Sequence, residues 1–297
     1  MKANYKIVIY TLLLFTQVAC SVDPLDKEQY KNEVYLVGAY NRTWAIDAKY
    51  VDETFEDFFT VSSSGSLNID QDARIVVETD NSIVDTYNKK FGGEDKEQHF
   101  HAVDESLYEI PSMSNIVIEH KNGISTKVPM FIKTKTLDPD LKYAIPVKIV
   151  SATPYDVNSS GQKMLIQLVM YNDYSGSYQD EGTRTDAQGV ATKIQRVKVI
   201  KATAINKIRY FYGINNESNK MADKRAKTIE ITILDEFIEG STTIKKVAVA
   251  GWGDVVITDD GNGTYDTVKK EFKVKYTTQS DGLVYEETLT KEPEKIV

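Results

Sequence analysis

The chain has 297 residues, of which 41% are hydrophobic and 27% are charged, a composition typical of a folded globular protein rather than a disordered one. It carries 36 Lys and Arg against 44 Asp and Glu, and the resulting net charge of -8 disfavours non-specific binding to nucleic acid. One Cys and three His exclude a disulfide framework and a cysteine-rich zinc site. The length predicts about two domains.

The N-terminus has the pattern of an export signal. Two lysines precede an apolar run at 7–15, which is too short for a membrane-spanning helix of about 20 residues. The run ends in TQVAC at 16–20, which resembles a bacterial lipobox, although Gln17 stands where an aliphatic residue is usual. We therefore expect a lipoprotein signal peptide at 1–19 and lipidation of Cys20, the first residue of the mature protein. An ordinary signal peptide is the alternative.

A polar segment at 20–33 predicts a tether, and strand-like runs then dominate 34–171. These runs are rich in β-branched and aromatic residues and lie at 34–40, 74–79, 116–120, 127–133, 143–151 and 163–171. Between two of them, Asn122-Gly123 predicts a two-residue turn and hence an antiparallel hairpin.

One helix is predicted among these strands. Asn81 is a suitable N-cap, apolar residues recur at helical spacing over 83–91, and Gly92 ends the pattern. Pro129 and Pro146 fall inside strand-like runs, which favours edge strands or bulges there. The spacing of the strands and the single short helix predict an immunoglobulin-like β-sandwich for 34–171.

A second pattern of strands occupies 172–297. Its strand-like runs lie at 193–201, 204–212, 227–234, 244–250, 270–277 and 283–289. Apolar residues alternate with lysines in FKVKY at 272–276, which is typical of a strand with one buried face. Asn262-Gly263 and Asp281-Gly282 predict two more hairpin turns. Helical periodicity is nearly missing, so we expect an antiparallel β domain, with a lipocalin-like barrel as the favoured version.

Several segments resemble a known pair of domains. TVSSSG at 60–65, SIVDTYNKKFG at 82–92 and TLDPDLKYAIPVKIVSA at 136–152 resemble the N-terminal domain of unknown function 1735 of Bacteroidetes lipoproteins. YNDYSGSYQDEGT at 171–183 and GNGTYDTVKKEFKVKYT at 261–277 resemble the C-terminal domain of unknown function 4361 that often follows it. Together the two domains would cover nearly the whole mature chain, and their order makes the resemblance more specific than either motif alone.

This resemblance implies an Ig-like domain followed by a lipocalin-like domain, on an outer-membrane lipoprotein often encoded with polysaccharide-uptake systems. The implied role is glycan binding at the cell surface, beside a TonB-dependent importer. Neither domain brings a catalytic motif, so the resemblance implies no catalytic residue and no cofactor. The acidic residues after Cys20 form no clear surface-export signal, so a periplasmic orientation stays open.

A sugar ring stacks its C–H face on an aromatic ring, while its hydroxyl groups need amide or carboxylate partners. Candidate glycan-binding residues are therefore rings expected at the surface, with polar neighbours: Trp252, Asp254, Tyr210, Tyr212, Asn215 and Trp44. Gly251 and Gly253 are expected to leave the face of Trp252 unobstructed, with burial in the core as the alternative. Tyr210 and Tyr212 share one strand face, and their alternative is cross-strand packing.

Other patterns are weaker. His99 and His101 have carboxylates nearby and would bind zinc only if their loop folded back, so an exposed loop without a metal is favoured. DDGNGTYD at 259–266 departs from an EF-hand loop and is better explained by a β-turn. The sequence has no nucleophile elbow, phosphate-binding glycine-rich loop or zinc-protease helix.

We therefore expect a non-catalytic, membrane-anchored protein that binds glycan through exposed aromatic rings, chiefly in the second domain. The rival from a different class is a structural or adhesive envelope protein that contacts a protein partner through its sheet edges. A glycoside hydrolase is a third possibility, since the spacing of two carboxylates across a bond cannot be read from a sequence.

Overall fold

The structure is a computed structural model that describes residues 28–293. The expected signal peptide at 1–19, Cys20 and the first part of the tether lie outside the described residues. The chain is 51% strand and 10% helix, which confirms the predicted all-β fold class. Across 28–293, no helix is both long and apolar enough to cross a membrane.

Residues 33–171 form two facing sheets with one α-helix. The strands are β1 (Glu33–Leu36), β2 (Thr43–Lys49), β3 (Phe55–Ser64), β4 (Ala73–Thr79), β5 (Phe100–Ala102), β6 (Tyr108–Glu109), β7 (Ile116–Ile118), β8 (Ser125–Ile132), β9 (Lys142–Thr153), β10 (Asp156–Val157) and β11 (Lys163–Tyr171), and the helix is α1 (Ser82–Phe91). Sheet one has the order β10-β1-β3-β8-β6, and sheet two has the order β2-β11-β9-β4-β7, with β5 beside β9.

The two sheets enclose a single apolar core, which confirms the predicted sandwich. Alternate residues of each strand point inward, as in β3, where Phe59 and Val61 are buried, and in β4, where Ile75 and Val77 are buried. The helix α1 covers the outer side of sheet two, where Val84 packs with residues of β9 and β11.

The helix has the predicted bounds but not the predicted cap. Asn81 makes no side-chain capping bond; instead the carboxylate of Asp80 accepts a hydrogen bond from the N–H of Ser82 at 3.0 Å. Gly92 follows the last helical residue, and Gly93 has a φ of 70°, which a glycine adopts without strain.

The hairpin predicted at Asn122-Gly123 is wrong. The strand before it, β7, pairs with β4 in sheet two, whereas the strand after it, β8, pairs with β3 in sheet one, so the chain crosses between sheets at this turn. The prediction that Pro146 marks an edge strand or a bulge is also wrong, because Pro146 lies in the central strand β9, opposite Leu165 of β11. On its other side, Pro146 falls between the stretch that pairs with β5 and the stretch that pairs with β4, so the missing N–H breaks no ladder bond there.

The second half of the chain forms one antiparallel sheet that closes on itself. Its elements are β12 (Gly176–Thr185), β13 (Ala191–Ala204), β14 (Lys207–Phe211), α2 (Met221–Lys227), β15 (Thr228–Phe237), β16 (Ile244–Gly251), β17 (Ile257–Asp259), β18 (Thr264–Asp266), β19 (Glu271–Thr278) and β20 (Val284–Lys291). The pairing of β19 with β20 closes an eight-stranded barrel, with β17 attached outside the ring, and confirms the predicted antiparallel barrel.

The predictions inside the barrel had mixed outcomes. In FKVKY, the apolar residues are buried and the two lysines are exposed, as predicted. Asp281-Gly282 joins the antiparallel pair β19 and β20, also as predicted. Asn262-Gly263 forms no hairpin between β17 and β18, because each of these strands pairs with β19 instead. Two elements were not predicted: β12, which is rich in Gly, Ser and charged residues, and the short helix α2.

Candidate functional site

Exposed aromatic rings are what a sugar-stacking surface requires, and the structure places them mainly in the sandwich. Among residues 28–293, the large rings with exposed positions are Tyr30, Tyr40, Trp44, Phe58, Phe91, Tyr171 and Phe237. Only Phe237 belongs to the barrel. The expectation that the second domain supplies most of the exposed rings is therefore wrong.

Trp44 is a predicted aromatic residue that does lie at the surface. It belongs to β2, the edge strand of sheet two, and has the inward parity of buried Ile46 and Ala48. Because β2 has a neighbouring strand on one side only, 43% of the Trp44 surface remains exposed. Trp44 and Phe58 line a small recess together with Val37, Phe59 and Thr60.

The turn before β2 is built to accept the Trp44 ring. Gly38 has a φ of 91°, and a Cβ atom at this position would lie 2.6 Å from Cε3 of Trp44. The ring therefore lies against bare backbone, a contact that only glycine permits. A short 3-10 helix, Ala39–Asn41, follows directly and carries the exposed ring of Tyr40.

Two cations accompany the exposed rings of this region. The Nζ of Lys127 lies 3.9 Å from the ring centre of Phe58, and the guanidinium carbon of Arg42 lies 4.4 Å from that of Phe91. We call the surface formed by Trp44, Phe58 and Lys127 the aromatic edge. Only Trp44 was predicted. Phe58 could have been predicted from the alternation of residues along β3: Phe59 faces the core, so its neighbour Phe58 faces outward.

The two tyrosines predicted as an exposed platform are in the barrel interior. Tyr210 is 1% exposed and its hydroxyl donates to Glu287 at 2.8 Å, whereas Tyr212 is 7% exposed and packs edge-on against Tyr285. The prediction of exposure is wrong because barrel closure turns this strand face inward. Asn215 is half-buried and its amide donates to the carbonyl of Tyr212 at 2.9 Å, which closes a local turn.

Trp252 does not have the unobstructed ring that its flanking glycines predicted. It follows β16 and is half-buried, and the guanidinium carbon of Arg209 lies 3.9 Å from its ring centre. Asp254 is exposed and forms an ion pair with Arg225 at 3.2 Å, so its carboxylate already has a cationic partner. One face of the predicted platform is therefore occupied by the protein itself.

Arg209 also connects the barrel to the sandwich. Its guanidinium forms an ion pair with Asp140, which precedes β9, and Lys224 of α2 lies 2.9 Å from the same carboxylate. Burial opposes ionisation of Asp140, but the hydrogen bonds and charges of Arg209 and Lys224 outweigh it and lower the pKa of this carboxyl group. Trp252 thus lies beside an ionic contact between the two halves of the chain.

The remaining candidates have ordinary structural surroundings. His99 contacts the carbonyl oxygen of Gly93 at 3.1 Å, and His120 lies 2.7 Å from a carboxylate oxygen of Asp72. His101 is exposed in β5. Within the part of the chain that the structure describes, no three metal-ligating side chains come together.

The barrel interior is filled rather than hollow. Rings from several strands pack together at its centre, as in the pair Tyr276 and Tyr285, which stack with ring centres 5.3 Å apart. Two carboxyl groups, Asp180 and Glu287, lie among them, both fully buried. This acidic pair cannot flank a glycosidic bond, because a sugar chain does not reach it.

Comparisons with known proteins agree with this architecture. Residues 30–156 match a family model for an N-terminal domain, and residues 162–292 match a family model for a C-terminal domain. No match was found among curated proteins.

Three solved structures illustrate the fold that the chain shares. A protein of unknown function from Bacteroides ovatus superimposes with a TM-score of 0.62 at 13% identity, over 89% of this chain and 95% of the other. An auxiliary nutrient binding protein from Bacteroides thetaiotaomicron has a TM-score of 0.56 at 13% identity, over 92% and 94%. A multidomain protein including DUF1735 from Bacteroides ovatus has a TM-score of 0.53 at 15% identity, over 84% and 90%. The chain is thus a two-domain β protein that carries the two family domains in the order N-terminal, then C-terminal.

Proposed function

We propose that this protein is a non-catalytic, glycan-binding lipoprotein of the outer membrane that serves a polysaccharide-uptake system. The aromatic edge is the binding surface, and a lipid on Cys20 is the anchor. The protein faces the cell surface and delivers poly- or oligosaccharide to a TonB-dependent importer. Mass spectrometry of the mature N-terminus tests the anchor, and an unmodified terminus other than Cys20 refutes it.

The observation that carries this proposal is that two exposed aromatic side chains, Trp44 and Phe58, line one small surface recess. Both rings are held by strands of a rigid sandwich, so little conformational entropy is lost when a sugar stacks on them. Flat rings with polar and charged neighbours match the two faces of a sugar, one apolar and one hydroxylated. The auxiliary nutrient binding protein from Bacteroides thetaiotaomicron, which shares this fold, supports the same kind of role.

The charges of the aromatic edge and of the turn before β2 favour an acidic glycan. Arg42 and Lys127 each lie against a ring, and among the described residues neither side chain forms an ion pair with a carboxylate. On a chain with a net charge of -8, Lys127 against the ring of Phe58 and Arg42 two positions before Trp44 are suited to the carboxylates of uronic acids. A glycan panel should therefore include neutral and uronic-acid polysaccharides.

Replacing Trp44 by alanine is expected to weaken polysaccharide binding at least tenfold, because a central aromatic anchor typically contributes about 2 kcal/mol to an interface. Binding is measured by affinity electrophoresis and calorimetry with purified protein. Phe237→Ala is the matched control, since Phe237 is 45% exposed against 43% for Trp44 but lies on the barrel.

The outcomes separate the alternatives. Equal loss of binding in the Trp44 and Phe237 variants would show that the aromatic edge is not the site. Failure of the unmodified protein to bind any member of a broad glycan panel would refute the glycan-binding function itself. Recovery of a protein partner together with that failure would favour the adhesive alternative.

A further inference from the structure

The barrel interior contains one cation and two carboxyl groups. Lys198 Nζ lies 3.1 Å from Oε1 of Glu287 and 3.2 Å from Oδ2 of Asp180, and all three side chains are at most 2% exposed. They come from three different strands: β13, β20 and β12. If both carboxyl groups were ionised, the core would hold an uncompensated negative charge, which is strongly unfavourable away from water.

Lys198 has no proton left for Asp180. An ammonium group has three N–H bonds, and those of Lys198 are directed at the carbonyl oxygens of Phe211 and Gly213, both at 2.8 Å, and at Glu287. Asp180 Oδ2 is close to the ammonium nitrogen but outside the directions of its hydrogen bonds.

Hydrogen bonds from surrounding protein groups stabilise Glu287 as an ionised carboxylate. Besides Lys198, it accepts hydrogen bonds from the N–H of Gly213 at 2.8 Å, from the hydroxyl of Tyr210 at 2.8 Å and from that of Tyr276 at 2.7 Å. Four donors fill the acceptor capacity of one carboxylate. These donors and the charge of Lys198 lower the pKa of Glu287 although its burial opposes ionisation.

Asp180 has the opposite surroundings. It is fully buried, and no N–H or O–H group of the described residues donates to either of its oxygens. The groups that face it are Lys198 from β13, Glu287 from β20 and Tyr210 from β14. In such a place an ionised carboxylate without a donor costs far more free energy than the protonated acid, because the neutral form carries no charge that must be solvated.

We propose that Asp180 is a neutral carboxylic acid in the folded barrel, that Glu287 is the ionised member of the pair, and that the barrel loses stability as pH rises towards neutral, because unfolding releases the Asp180 proton. Burial, together with the charge of Glu287, raises the pKa of Asp180 to about 7, and Lys198 only partly offsets this. The segment most directly affected is that around Gly213, because both Lys198 and Glu287 bond to its backbone.

The direction of the pH effect follows from linkage. The folded state holds the Asp180 proton up to about pH 7, whereas an unfolded Asp releases it near 3.8. The folded state therefore binds more protons than the unfolded state in this interval, and stability falls as pH rises through it. Between about pH 5 and about pH 9, the unfolding equilibrium constant is expected to rise about 100-fold through this group.

The test compares unfolding by urea at about pH 5 and about pH 9 in the unmodified protein and in Asp180→Asn. Asparagine keeps the shape of the protonated acid and has no proton to lose, so this variant should show little pH dependence over the interval. Asp235→Asn is the control, because the Asp235 side chain is fully exposed, and its profile should match that of the unmodified protein. A profile of Asp180→Asn that is as steep as that of the unmodified protein would overturn the proposal.

A second measurement needs no variant. In protein labelled with carbon-13 at the Asp carboxyl groups, one buried resonance should titrate near neutral pH while the exposed Asp resonances titrate in acid. The proposal fails if every Asp carboxyl resonance has completed its titration below about pH 5.

Discussion

A tyrosine or tryptophan in a strand can lie in the core or at the surface, and the residues that pack against its ring determine which. The hydroxyl group of Tyr210 donates a hydrogen bond to Glu287, so the ring can be buried without leaving an unpaired polar atom. Trp44 has the same inward parity in its strand, but the strand is at the edge of its sheet and the ring is left half uncovered. Type and spacing of the aromatic residue do not distinguish these two outcomes.

Trp252→Ala is expected to lower stability and to leave glycan binding intact, since one face of the ring already contacts Arg209. Removing the cation–π contact and the half-buried ring should reduce the free energy of unfolding by about 1–2 kcal/mol. Urea unfolding and calorimetric binding measure the two effects separately. Trp252→Phe keeps a ring face for Arg209 and should recover part of the stability. If the alanine variant instead loses glycan binding while its stability is unchanged, Trp252 is a binding residue and the prediction is wrong.

At the scale of an element, the turn between β1 and β2 prepares the aromatic edge. Its glycine allows a left-handed backbone, the short 3-10 helix lies between β1 of sheet one and β2 of sheet two, and β2 then begins at Thr43. The turn therefore determines where Trp44 lies before any ligand is present. Such preorganisation lowers the entropic cost of binding.

Gly38→Ala is expected to weaken glycan binding and stability together. An added Cβ would approach Trp44 Cε3 to 2.6 Å in a backbone with a φ of 91°, so the ring must move, and strain of about 1–3 kcal/mol is expected. Gly123→Ala is a matched control, because Gly123 also has a positive φ, 128°, but nothing lies within 4 Å of the added atom. Binding affinity and the unfolding midpoint are compared; equal losses of affinity in both variants would contradict the role of the Gly38 contact.

At the scale of the whole molecule, a buried ionic cluster joins the two halves of the chain. Asp140 of the sandwich balances Arg209 and Lys224 of the barrel. Asn172, which directly follows the last strand of the sandwich, donates from its amide to the barrel carbonyl oxygens of Ala204 and Lys207 at 2.7 and 2.8 Å. These bonds orient the barrel against the sandwich. The aromatic edge and the barrel therefore belong to one connected body rather than to independent modules.

Asp140→Ala is expected to lower the free energy of unfolding by about 3 kcal/mol, because it leaves Arg209 buried without an anion. Asp52→Ala is the control: its ion pair with Lys135 is exposed, and its loss should change stability by less than about 1 kcal/mol. Since the pKa of Asp140 is lowered in the folded state, its contribution is present above about pH 4 and is lost as pH falls further. Similar unfolding midpoints for the two variants would contradict this role.

Much of the architecture could be predicted from interactions between residues close together in the sequence. Strand β11 matches its predicted run residue for residue, α1 begins and ends where its periodicity and Gly92 indicated, and FKVKY faces inward as its alternation required. These features depend on interactions between residues a few positions apart, namely period, turn chemistry and chain-terminating glycines. The closing turn at Asp281-Gly282 belongs to the same class.

The features that were not predicted depend on strand pairing and contacts between residues far apart in the sequence. Whether Asn122-Gly123 makes a hairpin depends on which sheet accepts each flanking strand, and whether Tyr210 is buried depends on closure of the barrel by β19 and β20. The ionic cluster of Asp180, Lys198 and Glu287 joins residues up to 107 positions apart, counted from 180 to 287. No local pattern encodes such a contact, because its free energy arises only when the closed sheet removes all three groups from water.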